Sequence, residues 1–224
     1  MGHTPQQLAE GLWRWTARHP EWHPGEFGRE VASFAIQADE DVLLIDPLLP
    51  PERDAVLELV DDLLGKRVAI LISIPYHVRS AEELWRRYRD QTDCVIWGHA
   101  ACTKRLRDRR GFREIQLGVP LPAGVSAHAI GRPRRQETPL YIPSHRALVF
   151  GDAVAAVDGE LRVWSIGKVD ARRAHWYRER FNPTLEPLLE LDFERVLVTH
   201  GEPVLSDGRA RLRAALDARP WNHR

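Results

Sequence analysis

Lysine is scarce in this chain of 224 residues, occurring only at positions 66, 104 and 168, while arginine is abundant throughout. A bias of that kind accompanies codon usage or thermal adaptation and identifies no function. Net charge is lacking as well: 32 basic residues balance 32 acidic ones, so no global field recruits nucleic acid or an anionic membrane. Cysteine is limited to Cys94 and Cys102. Their spacing matches neither a zinc knuckle nor a redox CxxC pair, and both read as buried free thiols. No apolar run approaches the length of a membrane span, and the first residues show no basic region followed by an apolar stretch. The expectation is a cytoplasmic protein with neither nucleic-acid nor membrane partners.

What the chain does contain is an alternation of strand and helix signals without linker, repeat or low-complexity segment. Its length suffices for a substantial core, and residues 1–224 read as a single domain. Residues 1–30 form a tryptophan-rich arm, with Trp13, Trp15 and Trp22, that is expected to pack on the body of the fold; His19 and His23 within it read as surface or capping residues. "EVASFAIQADEDVLLIDP" is a hairpin whose second strand ends on Asp46 before Pro47. In "PERDAVLELVDDLLGK" the residues Val56, Leu59, Val60, Leu63 and Leu64 share one helical stripe that stops at Gly65. "RVAILISI" is a strand buried on both faces, and "SAEELWRRYRD" a helix with Ser80 as N-cap and Glu83 in the capping-box position. His77 therefore stands at a strand end, just ahead of a helix.

Further along, "DCVIWG" reads as strand and "HAACTKRLRD" as helix. Short β runs follow: "REIQLG", "VSAHAI", "TPLYIP", "ALVFGD" and "ELRVWS". A helical region from about Asp170 to Glu190, broken near Pro183, precedes the buried strand "RVLVTHG" and a last helix, "DGRARLRAALDAR". Two basic clusters, "RLRDRR" (105–110) and "RPRR" (132–135), are candidate anion sites, the first reading as a solvated helix end beside Asp108. Asp152 and His200 each follow a buried apolar run, as His77 does. Three polar side chains at three strand ends make a convergent site, and two imidazoles with a carboxylate are the ligand set of a catalytic zinc or iron.

The "LLIDP" hairpin, the strand-turn-helix at His77, "VFGDA" and "VTHGEPV" together resemble the metallo-β-lactamase fold hydrolase superfamily, over nearly all of the chain from about Val31 onward. The resemblance implies an α+β fold, a four-layer αββα sandwich of two mixed β-sheets flanked by helices, with its site at one edge. It also implies that the site is degenerate. Where the family writes HxHxDH, this chain has Ile72, Ile74 and Tyr76 ahead of His77, and in "HAIGRP" it keeps His128 and Gly131 but puts Arg132 in a ligand position. Asp152 corresponds to the bridging aspartate and His200 to the last histidine. One metal position is thereby emptied, and the other keeps His77, Asp152 and His200. Asp46, by the same resemblance, supports the turns through hydrogen bonds without touching metal.

Two functions follow. In the first, a hydrolase, His77, Asp152 and His200 hold at most one divalent ion (zinc, iron or manganese), whose water attacks an ester, thioester or amide. There Asp152 orients the water and Tyr76 or Arg132 stabilises the oxyanion. In the second, Arg132 pairs with Asp152, no metal is needed, and the protein is a non-catalytic binder of a small-molecule ligand or an assembly protein. The substrate or ligand is unidentified in both, and the oligomeric state stays open, a homo-oligomer included. His99 reads as a cap-region residue, His128 as structural, and His145, His175 and His223 as surface residues. Specificity is expected from the "RPRRQETP" loop, from 163–183 and from the N-terminal arm.

Overall fold

Alternating side chains of long apolar runs decide which face of each sheet meets which layer. In the computed structural model, which describes residues 4–23 and 27–223, the first sheet has seven strands in chain order. They are β1 (Gln6–Ala9), β2 (Leu12–Arg18), β3 (Glu30–Ala38), β4 (Asp41–Ile45), β5 (Arg67–Ile72), β6 (Asp93–Gly98) and β7 (Phe112–Glu114). Strands β1 to β4 pair antiparallel and β4 to β7 parallel. The change of direction follows from the connections, since helices α1 (Asp54–Leu63) and α2 (Ala81–Tyr88) carry the chain back before β5 and β6.

Next come β8 (Ser126–Ala127), β9 (Leu140–Ile142) and β10 (Ala147–Phe150), then an antiparallel ribbon of β11 (Val154–Val157) and β12 (Glu160–Val163). Helix α3 (Ala171–Trp176) runs on into a π turn over Tyr177–Phe181 and two 3₁₀ turns. Strand β13 (Arg195–Val198) and helix α4 (Gly208–Asp217) close the order. The second sheet is arranged β13-β10-β9-β8, with β10 and β13 parallel and the other pairs antiparallel.

The period of two then builds the layers. Leu43 and Ile45 of β4 and Val149 of β10 pack between the sheets with Phe34, Leu71, Leu140 and Leu197. Their neighbours Val42 and Leu44 turn outward onto Val56 and Val60 of α1 and Leu84, Trp85 and Tyr88 of α2. Leu148 and Phe150 of β10 turn outward in the second sheet, onto Tyr177, Phe181, Leu212 and Leu216. Helix, sheet, sheet, helix is the four-layer αββα arrangement of two mixed sheets that the sequence implied. Cys94 and Cys102 are buried free thiols, pushed up to about 12 by burial. Among the described residues no helix is long and apolar enough to cross a membrane.

The structure corrects three expectations. The N-terminal segment does not lie over the sheet but supplies its first two strands, with Trp15 fully buried and its Nε1 donating to the Leu48 carbonyl at 2.8 Å; residues 1–3 and 24–26 of that arm lie outside the described residues. The capping box of α2 does not form. Ser80 Oγ accepts from the Leu49 backbone N–H at 2.9 Å instead, and Glu83 pairs with Arg53. "HAACTKRLRD" makes only a 3₁₀ turn over Ala100–Lys104, with His99 as its N-cap accepting from Ala101 N. Strand β11 carried no separate sequence expectation; it follows the "VFGDA" turn directly and is held by pairing with β12.

Candidate functional site

Asp46, just past β4, sits at φ 46°, a left-handed conformation that few side chains adopt. Its buried carboxylate accepts from the Ser73 backbone N–H at 2.8 Å, from the Ser73 hydroxyl and from Nδ1–H of His77 at 2.8 Å. That bond aims Nε2 of His77 at Oδ1 of Asp152, 3.4 Å away. Asp152 is held from behind. Glu137, buried in the loop before β9, accepts from Gly151 N at 2.9 Å and Ala153 N at 3.0 Å, the amides on either side of it. Gly151 has no room for a side chain, since a Cβ there would lie 2.6 Å from Ser73 Oγ. His200, past the end of β13, brings Nε2 to 3.6 Å from the same Oδ1, and its carbonyl accepts from Ala156 N at 2.9 Å. Gly201 beside it, at φ +89°, lies so close that a Cβ would meet the Ala156 carbonyl oxygen at 2.0 Å.

The three strand ends thus meet at Asp152, as expected, but the arginine that joins them is a different one. Arg134 places NH1 3.3 Å from Oδ2 of Asp152 and has only 9% of its side chain exposed. Arg132 is exposed, and its expected pairing with Asp152 is replaced by that of Arg134. The turn explains the exchange: Arg134 N donates to the Gly131 carbonyl at 3.0 Å and Glu137 N to the Arg134 carbonyl at 2.8 Å, which turns the second arginine inward. Tyr76 is 58% exposed, with the Arg105 guanidinium 4.3 Å over its ring.

Sequence reasoning singled out neither Arg79 nor Glu137. Arg79 has φ 40° and ψ −115°, a conformation suited to glycine and costing an arginine on the order of 1–3 kcal/mol. Its NH1 donates to the Asp46 carbonyl at 3.1 Å, while Nε and NH2 are buried without a partner among the described residues.

Charge is finely divided here. Burial and Arg79 push the His77 imidazole down, but Asp46 and Asp152 outweigh them, so His77 holds its proton more tightly than usual. His200 goes the other way, lowered by burial. Burial pushes Asp152 up, yet the neighbouring imidazoles of His77 and His200, with the Arg134 charge, leave it well below the usual carboxylate range. Glu137 is pushed up to about 7, chiefly by burial and with Asp152 adding to the rise against Arg134.

A carboxyl that binds its proton more tightly when folded stabilises the fold below its ordinary value of 4.5, and that contribution is lost as pH rises through about 7. Glu137→Gln keeps the acceptor oxygen. It is therefore expected to gain roughly 1–3 kcal/mol on the parent protein between about pH 5 and about pH 8, read from paired urea melts. Parallel pH profiles for the two proteins would rule this assignment out.

The site opens into a cleft of about 460 Å³ whose walls include Trp22, Phe27, Tyr76, Arg79, Arg134, Trp164 and Ile166. His19 and His223, expected at the surface, line it as well. Phe27 stacks edge-on with Trp221 at 4.5 Å and Trp164 at 5.7 Å between ring centroids. Trp164 also meets the edge of His200 at 4.8 Å and carries the Arg134 guanidinium 5.4 Å from its centroid. The tail holding Trp221 is fixed by two backbone bonds, Trp221 N to the Val163 carbonyl and Ser165 N to the Trp221 carbonyl, each 2.8 Å.

A divalent ion fits this donor set poorly. In its favour, Oδ1 of Asp152 is buried without a hydrogen-bond partner among the described residues. Its spacings to the two imidazoles resemble the roughly 3.4 Å between ligands on one tetrahedral zinc, and the Asp46 bond orients His77 as carboxylates orient ligating histidines. Against it stands charge. Arg79 and Arg134 already match Asp46 and Asp152, so an ion would add two uncompensated positive charges to a buried site, a cost of several kcal/mol per ion. Ile72 and Ile74, buried where two more ligands would stand, offer no donor.

Among solved structures the chain is similar to the DIM-1 metallo-β-lactamase, at 12% identity over 95% of this chain and 94% of that one, with a TM-score of 0.64. It is similar also to a metallo-β-lactamase from Erythrobacter litoralis with β-mercaptoethanol in its active site, at 15% identity over 97% and 96% and a TM-score of 0.64. A third is the chemotaxis sensor ODP, described as a peroxy diiron species, at 14% identity over 98% and 96% and a TM-score of 0.63. No family model matches the chain, and no curated protein does. Identities this low speak for the fold alone.

Proposed function

We propose that this chain, whose fold is that of the metallo-β-lactamases, is a ligand-binding relative in which fixed guanidinium charge stands where the fold elsewhere keeps metal. The observation that carries this reading is the Arg134 guanidinium against Asp152, with Arg79 against the Asp46 carbonyl on the other side of His77. A buried carboxylate needs a counter-charge, and an arginine supplies one without drawing an ion from solution. His77 then serves as a bridge between Asp46 and Asp152 that ties two strand ends together, and the aromatic cleft in front of them receives a small molecule.

The second reading, a hydrolase with one zinc, iron or manganese ion held by His77, Asp152 and His200, is favoured by the unpartnered Oδ1 of Asp152. Such an ion would supply a polarised water for ester, thioester or amide cleavage, with Tyr76 at the rim and Arg134, not the exposed Arg132, beside the reacting group.

Elemental analysis of protein purified without chelator separates the two. The expected result is far less than one metal ion per chain and a melting temperature that added zinc, iron or manganese leaves unchanged. Close to one ion per chain, lost in His200→Ala, would overturn the metal-free reading.

A further inference from the structure

We propose that the cleft binds a planar aromatic carboxylate, its charged group taken by Arg79 and Arg134 and its ring laid against Trp164. The inference rests on the metal-free reading of the same site and adds the chemistry of the ligand.

Each guanidinium offers five N–H donors, and the protein uses few of them. Arg79 commits NH1 to the Asp46 carbonyl, Arg134 commits NH1 to Asp152, and the Nε of both and the NH2 of Arg79 are buried without a partner among the described residues. Buried donors left in that state are uncommon in folded proteins and call for an acceptor. Arg79 adds an independent sign. Its backbone would suit glycine, and an arginine held there against local strain is a side chain with a use at that spot.

The rest of the cleft describes what accompanies the charge. Trp164 and Phe27 line it with ring faces and edges, Trp221 backs them from behind, and Tyr76, also in the lining, is exposed. A volume of about 460 Å³ lies in the range of sites for small organic ligands. The Arg134 guanidinium lies over the Trp164 ring, 5.4 Å from its centroid. A flat carboxylate matches a flat guanidinium edge through two parallel bonds, which a tetrahedral oxyanion shares but a neutral amide does not.

The test is calorimetric titration of the full chain with three probes: 2-naphthoate, its neutral isostere 2-naphthamide, and inorganic phosphate. Naphthoate is expected to saturate at one per chain and to bind at least tenfold tighter than naphthamide. Arg79→Lys and Arg134→Lys, which keep the charge and lose the fork, are each expected to weaken naphthoate about tenfold, and Trp164→Leu to weaken it while sparing phosphate. Naphthamide binding as tightly as naphthoate, no heat with naphthoate, phosphate binding alone, or lysine variants equal to the parent would each overturn the proposal. Should a variant fail to fold, the naphthoate-to-naphthamide ratio on the parent still decides. Metal content measured on the same sample keeps the two failures apart: stoichiometric metal defeats the metal-free reading, whereas metal-free protein without preference for naphthoate defeats only the ligand class.

Discussion

Asp46→Ala is expected to lower the unfolding free energy by about 3–5 kcal/mol, the largest single loss at this site. The carboxylate is 2% exposed and satisfies the Ser73 amide, the Ser73 hydroxyl and the Nδ1 proton of His77. Truncation strands all three in a place closed to water, each at roughly 1–3 kcal/mol, and alanine tolerates the left-handed backbone there less well. For a chain of this size the melting temperature should fall by about 10 °C. Asp46→Asn is the informative partner. It keeps an acceptor for Ser73 N, the imidazole can change tautomer to meet its NH2, and asparagine accepts a positive φ, so the cost should be only about 1–2 kcal/mol. Urea denaturation of the two variants reads the difference. An alanine variant within about 1 kcal/mol of the parent would mean that the network is not what holds the strand ends.

Arg134→Met should be nearly as damaging, at about 3 kcal/mol, because it leaves Asp152 charged, largely buried and short of a counter-charge. The cause can be isolated. Adding Asp152→Asn to Arg134→Met removes the stranded charge and is expected to return about half or more of the loss, a coupling that a double-mutant cycle reports directly. Arg132→Gln, at an exposed position, should stay within about 0.5 kcal/mol. If instead Arg132→Gln is the costly change, the assignment of the counter-charge is wrong.

These two arginines mark where the sequence stops being legible. The layers could be read because "VLLID" and "RVAILI" bury both faces of a strand, and such runs must lie inside a sandwich. His77, Asp152 and His200 could be read because each follows a buried strand, and the ends of β5 in one sheet and of β10 and β13 in the other meet at one edge of the sandwich. Inside "RPRRQETP" no period operates. Which of its arginines turns inward is set by two backbone hydrogen bonds, from Arg134 N to the Gly131 carbonyl and from Glu137 N to the Arg134 carbonyl, and no spacing rule announces them. Glu137 left no better trace, since an acid buried to hold two amides looks in sequence like any loop glutamate. The arm is a different case. "LWRWTAR" does alternate its tryptophans with Arg14 and Thr16, and the strand was obscured only by the tryptophans and prolines around it. Arg79 was hidden because its distinction is a dihedral angle, which one residue letter does not encode.

One wall of the cleft belongs to neither sheet. Phe27 and His223 line it from segments almost two hundred positions apart, and Trp221, packed edge-on against Phe27, is fastened to the ribbon side through Val163 and Ser165. Trimming the chain just before Trp221 removes Asn222 and His223 from the lining and the ring behind Phe27, but no residue of either main sheet. A preparation clipped at that end could melt normally and still bind nothing, so intact mass belongs beside any negative binding result.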